Sequence, residues 1–361
     1  MSEMYQMLGA GLALILTLAA TPQPTTPAQH ARAGWEAIEA RDAREAAERF
    51  AEALRGAPEE PSVLLGAGLA AHLLGQADEA RRYLLDALKY RPALTDASLL
   101  LGEILYRGTD LQGAIYTYEQ ALAHAPGHTV LVAKLEAWRK EAALHDRFAQ
   151  KFGDHFTVLF EGPAEAALAA RAVEILEAAY WRVGAALYTY PPEVIPVILY
   201  TREQFRDVTR SPDWAGGAYD GRIRVPVRGA LEDRRGFERV LTHEYTHALV
   251  RSLAPRGVPQ WLNEGLAMYF EGGDLSPHLD RAAAAEKPHA LTILERSFSG
   301  MDGTAAALAY SQSAAAVKRL MDEAGAPAIV GILTDLGRGL PFTEAFQRHA
   351  NVSYSDFQKS R

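Results

Sequence analysis

The chain has 361 residues, 48% hydrophobic and 23% charged, an ordinary globular composition that suits about two domains. Its formal net charge of −8, with no long basic run, excludes the electrostatic footprint of a nucleic-acid binder. The absence of cysteine excludes disulfides and thiolate-held zinc, so any metal must rest on His, Asp or Glu.

The first element in chain order is the apolar run Leu8 to Ala20. It has the length of a signal-peptide core and is shorter than the ~20 residues of a spanning helix. Residues 1–20 are therefore expected to be a signal peptide, which sends the chain to the periplasm or another extracytoplasmic compartment. An uncleaved N-terminal anchor is the alternative and the only membrane contact expected. The n-region carries Glu3 and no Lys or Arg, which departs from the usual signal. The proline-rich stretch 21–27 reads as a linker, so folded structure should begin near residue 28.

A period of 34 residues follows. Gly34, Gly68 and Gly102 form one column; Ala46, Ala80 and Ala114 another; then come Phe50, Leu84 and Tyr118; Ala53, Ala87 and Ala121; and Pro58, Pro92 and Pro126. Small residues let two helices approach, the large column fills the gap, and proline ends the second helix. This pattern closely resembles the tetratricopeptide (TPR) repeat, with three units over residues 28–128. Residues 129–152 are expected to form a capping and connecting helix over the last repeat. The array reads either as a concave surface for a peptide or partner protein or as a rigid spacer or oligomerisation surface, since the repeat signals architecture and not ligand. His72, His124 and His128 fall inside the array and read as surface or packing residues.

After residue 153 the rhythm changes. Phe156 to Phe160 and Val194 to Tyr200 read as strands, with a long amphipathic helix between them over Glu165 to Leu187. Gly216 to Val227 combines glycines with an alternation through Ile223, Val225 and Val227, and Pro226 within it suggests an edge strand.

The segment Gly236 to Ser252 has helical periodicity, with Phe237, Leu241, Tyr245 and Leu249 on one face. It contains His243-Glu244-Tyr245-Thr246-His247. A spacing of four puts both histidines one turn apart on a common face, where two imidazole nitrogens can meet one zinc ion. Glu244 points about 100° round, beside the metal and not on it. Downstream, Glu264 is set in an apolar helical pattern of Trp261, Leu262, Leu266, Tyr269 and Phe270, and such a carboxylate needs a partner. Pro255, Gly257 and Pro259 break the chain between the helices, so the second can turn back and offer Glu264 as third ligand. Two histidines, a glutamate and one open position make a catalytic zinc site.

HEYTH followed by WLNEGLA is similar to the gluzincin metallopeptidases, and especially to the peptidase-MA-like domains found beside TPR arrays. The likeness covers residues 153–350 and is densest from Gly236 to Glu271. It implies an all-α TPR solenoid followed by a thermolysin-like α+β zincin domain over 153–275 and a helical C-terminal subdomain over 276–361. It further implies one Zn2+ per chain, Glu244 as general base, and a peptide or protein substrate laid along an edge strand at Gly216, Gly217, Ala218 and Tyr219. Tyr310, at a helix start, takes the place of the oxyanion donor, with His289 and His349 as weaker candidates. Several gluzincins carry an Asp four residues after the glutamate ligand to orient the first histidine. Met268 stands there in this chain, so another residue must hold His243. The function expected is hydrolysis of peptide bonds by a metal-activated water. The alternatives are a TPR adaptor with a zinc-binding, non-catalytic domain, and a zinc hydrolase acting on a non-peptide amide.

Overall fold

The repeat columns of the sequence become one contact made three times. In the computed structural model, which describes residues 26–210, 216–227 and 233–359, the array opens with α1 (Pro27–Glu39) and α2 (Ala43–Gly56). The pairs α3 (Pro61–Leu73) with α4 (Ala77–Tyr90), and α5 (Thr95–Arg107) with α6 (Leu111–His124), repeat the hairpin. A Cβ added at Gly34 would lie 2.9 Å from the Phe50 ring, and one at Gly68 would lie 2.9 Å from Leu84. At Gly102 the Tyr118 ring stands closer still. Glycine therefore makes the room that the large column fills, and the alanines at 46, 80 and 114 are wholly buried beside it. Pro58, Pro92 and Pro126 each follow a helix C-cap, where no further helical N–H is required. The expected signal segment 1–20 and most of the linker lie outside the described residues; Thr26 caps α1 with a capping box.

The last repeat is closed by α7 (Thr129–His145). Its Trp138 packs on Tyr106 and Tyr118, with ring centroids 4.9 and 4.5 Å away. The helix ends at His145, and the chain turns almost at once into β1 (Ala149–Phe152), so the final residues of the expected connecting helix are a strand.

With β2 (Phe156–Phe160), β3 (Ile195–Tyr200), β4 (Ala218–Tyr219) and β5 (Ile223–Pro226), β1 forms a five-stranded sheet in the order β1-β2-β3-β5-β4. The two outer pairs are antiparallel and the two inner pairs parallel. The crossover α8 (Ala166–Ala186) and the later helix α10 (Arg234–Leu253) share one core with the sheet, while α9 (Arg202–Thr209) packs through Phe205 against Ile198 and Tyr200. Gly216 to Val227 is not one edge strand. It is a hairpin in which β4 is the edge and β5 is interior. Proline is tolerated in β5 because β4 pairs only with Ile223 and Arg224, and Pro226 lies beyond its end.

The C-terminal part is helical: α11 (Gln260–Phe270), α12 (Ser276–Ala283), α13 (Gly303–Gly337), α14 (Phe342–Ala350) and α15 (Tyr354–Lys359). Gly325, at φ +78°, breaks α13 just before Pro327. Among the described residues no helix is long and apolar enough to cross a membrane.

Array and sheet meet over buried charge. Arg224 of β5, only 1% exposed, lies 2.8 Å from Glu141 of α7 and 3.0 Å from Asp220. Its guanidinium also donates to Tyr200 at 2.7 Å and to Tyr106 of the array at 3.1 Å. Tyr106 in turn donates to Glu141 at 2.7 Å, and His145 contacts the Tyr200 hydroxyl at 2.7 Å. Burial disfavours charge on Arg224, but Asp220, Tyr200 and Glu141 outweigh it and raise its pKa.

Candidate metal centre

The long helix α10 is anchored at its start by Asp233, whose carboxylate accepts from the Gly236 amide at 2.8 Å. Phe237, Leu241, Tyr245 and Leu249 are all buried against α8 and the sheet. That fixes the rotation of the helix and turns His243 and His247 to the other side, where they face α11. The α11 amides at Gln260 and Trp261, which no helical partner could satisfy, donate to the carbonyls of Glu295 and Leu294 at 3.1 and 2.8 Å. The Trp261 indole donates to Tyr354 at 3.1 Å, pinning α11 to the C-terminal helices.

His243, His247 and Glu264 each bring a ligand atom within 4.8 Å of the others. His243 Nε2 and His247 Nε2 lie 3.4 and 3.6 Å from Glu264 Oε2. Ligand atoms of a tetrahedral ion with bonds of ~2.0–2.1 Å are roughly 3.3–3.4 Å apart, so this donor set fits a zinc ion. Gln260 Nε2 donates to Glu264 Oε1 at 2.7 Å and leaves Oε2 for the centre. In the metal-free protein, burial lowers the His243 pKa, but Glu264 and Glu271 outweigh it and raise it to about 10. Burial raises Glu264, yet His247 and His243 hold it well below the usual carboxylate range.

The residue that orients His243 is Glu271, whose carboxylate lies 2.9 Å from Nδ1. It stands seven residues, about two turns, beyond Glu264, so the end of the same helix does what an Asp at position 268 would do. Met268 is buried. His247 has no such support: its Nδ1 is buried without a hydrogen-bond partner among the described residues.

Glu244 is 5% exposed and points into the same cleft, beside the cluster. Its pKa is raised, first by burial and then by Glu264, against the pull of both histidines. Gly217 approaches it so closely that an added Cβ would sit 2.7 Å from Glu244 Oε1. Gly217, Ala218 and Tyr219 thus form a wall of the cleft, whereas Gly216 faces Val240 and does not line it. Tyr310, in the first part of α13, lines the same cleft. A glycine brings it there: a Cβ on Gly265 would collide with the Ser313 carbonyl, so only glycine beside Glu264 lets α13 come so near. Burial, then Glu264 and Glu244, raise the Tyr310 pKa, so its hydroxyl stays a donor. The histidines proposed alongside it are elsewhere. His289 pairs through its backbone with Gln312 and lines a separate pocket, and His349 bonds to Asp335 at 2.9 Å.

Four polar side chains of the cleft were missed in the sequence: Arg251, Arg256, Gln260 and Asn263. Two had a legible signal. Arg251 continues the four-residue spacing of His243 and His247, and Gln260 precedes Glu264 by four.

Fold and site define a helical-repeat array joined to an α/β domain with two histidines and a glutamate converging in a cleft. Family models match both parts: tetratricopeptide repeat over residues 32–88 and 74–129, and Peptidase MA superfamily over residues 188–355. The chain is a tetratricopeptide-repeat protein with a peptidase-MA-like domain. Among solved structures it is similar to the first TPR of Spaghetti bound to an HSP90 peptide, at 17% identity and a TM-score of 0.31. That likeness covers 33% of this chain and 96% of the other. No curated protein sequence matches the chain significantly.

Proposed function

We propose that the protein is a zinc-dependent peptidase of the gluzincin type, with one zinc ion held by His243, His247 and Glu264. The observation that carries this reading is the convergence of the three ligand atoms beside Glu244, on a cleft walled by an edge strand. Zinc there supplies Lewis acidity, polarising an amide carbonyl and acidifying water. Glu244 takes the proton of the attacking water on its carboxylate and hands it to the leaving amine, giving a carboxylate and an amine as products. Its burial beside the ligand cluster suits a base that takes a proton and releases it again. The Tyr310 hydroxyl donates to the oxygen that becomes negative during attack. Glu271 holds the His243 ring through Nδ1 so that Nε2 keeps its lone pair for the metal. Strand β4 pairs with β5 on one side, and its other edge is where an extended peptide adds by backbone hydrogen bonds. The array brings a substrate or partner protein to the domain, and the apolar run Leu8 to Ala20 makes an exported chain part of the reading.

The test is Glu244→Gln, which keeps shape and ligands but removes the base. Metal content and melting temperature should barely change, while hydrolysis of a library-selected peptide falls by ~10²–10⁴. Unchanged turnover would sink the assignment. A metal-loaded wild type that cuts no peptide would favour the adaptor.

A further inference from the structure

The cleft contains positive charge that the hydrolytic chemistry does not use. Arg251 stands one helical turn beyond His247, about 6 Å further along α10. Arg256 lies in the connection between α10 and α11, and both line the ≈ 400 Å³ cleft with the metal-site residues. The array adds to them. Arg256 donates to the ring of His72 at the end of α3, and the backbone at Arg107, which ends α5, abuts Gly221. Among the described residues no carboxylate pairs with Arg107, Arg251 or Arg256. Of the two acids in the cleft, Glu264 is committed to the histidines and Glu244 stands beside them. Burial, then the charges of Arg107 and Arg251, lower the Arg256 pKa. His72 adds no charge of its own: burial, then Arg256, Arg107 and Arg251, lower its pKa to about 4, so it accepts from Arg256 and holds its side chain in place.

Like charges gathered in a half-buried cleft are costly unless an anion joins them, and a guanidinium fork fits a carboxylate with two parallel hydrogen bonds. We infer that Arg251 and Arg256, backed by Arg107 of the array, form a subsite that selects peptides bearing a carboxylate within two or three residues of the bond cut. This inference rests on the peptidase reading for the word substrate, but the subsite is a binding property and is measured separately. The carboxylate comes either from the peptide's C-terminus or from an Asp or Glu side chain. The array thereby takes part in substrate choice through residues at the turns of its hairpins, apart from its concave face.

The experiment uses the full, metal-loaded chain carrying Glu244→Gln, so that peptides bind without being cut. Dye-labelled neutral hexapeptides are titrated by fluorescence anisotropy as the free acid, as the C-terminal amide, and as amides with one Glu at each position in turn. The free acid or one of the Glu peptides should bind ~10–100-fold tighter than the neutral amide, the usual range for a charge-assisted contact. Which of them gains identifies the source of the carboxylate. Adding Arg251→Gln or Arg256→Gln should erase the preference while leaving binding of the neutral amide alone. Arg107→Gln, at an exposed position, should reduce it in part without risk to the fold. Equal binding of all peptides, no binding at all, or a preference that survives in folded Arg251→Gln and Arg256→Gln proteins overturns the subsite. Wild type that cuts the neutral amide as well as the acid keeps the peptidase and overturns the subsite. An arginine-dependent preference in a wild type that cuts nothing keeps the subsite and overturns the peptidase.

Discussion

Two clusters of buried ionisable side chains lie in this molecule, and they are built on opposite plans. Around Arg224 the buried groups face partners within the chain: two carboxylates and two tyrosine hydroxyls surround one guanidinium, with Glu141 Oε1 held by the ion pair and by no hydrogen bond among the described residues. Around His243 and His247 the groups point at a common centre. Imidazole nitrogens and a carboxylate oxygen stand 3.4 and 3.6 Å apart, and the supporting bonds from Glu271 and Gln260 go to the far atoms of the rings and carboxylate. Pairing of charges within the chain joins two parts of a fold, whereas convergence of donor atoms on one point prepares chemistry. Burial alone does not distinguish the two, since Arg224 is more deeply enclosed than either histidine.

Mutations that open the first cluster or loosen the second test this contrast. The largest effect is expected from Arg224→Met, which leaves Glu141 buried without its cation and should cost about 3–5 kcal/mol in urea unfolding. Metal affinity of the folded fraction should stay the same. A loss below 1 kcal/mol would show that the array and the domain do not depend on this contact. Tyr310→Phe comes next: turnover should fall by ~10²–10³ with the Michaelis constant nearly constant, because the hydroxyl acts on charge that exists only during reaction. An equal rise in the Michaelis constant would make it a binding residue instead. The smallest effect belongs to Glu271→Gln, measured by competition with a chelator. It should weaken metal affinity ~10–100-fold and leave unfolding in the metal-free state nearly unaltered. Complete metal loss in Glu271→Gln, with full metal in Glu264→Ala, would exchange the two roles.

The contrast also marks what each level of description could settle. In the array, Gly34 meets Phe50, Gly68 meets Leu84 and Gly102 meets Tyr118, partners only sixteen residues apart, so a column of small residues and a column of large ones already specify the contact. The same holds for His243 and His247, which a single helical turn brings together, and for Glu264, which needs only one break in the chain to return. Those features were determined by the sequence alone because local geometry is fixed by φ, ψ and spacing. The Arg224 cluster joins residues 106, 141, 200, 220 and 224, and nothing local announces which acid meets which base. Nor could the sequence place His289 and His349 away from the cleft, split Gly216 to Val227 into an edge strand and an interior one, or choose Glu271 to hold His243. The juxtaposition of His72 and Arg107 with Arg256 is likewise tertiary. Each of these depends on how separate elements dock, and docking is decided by the summed burial of whole helices and strands, which no single motif encodes.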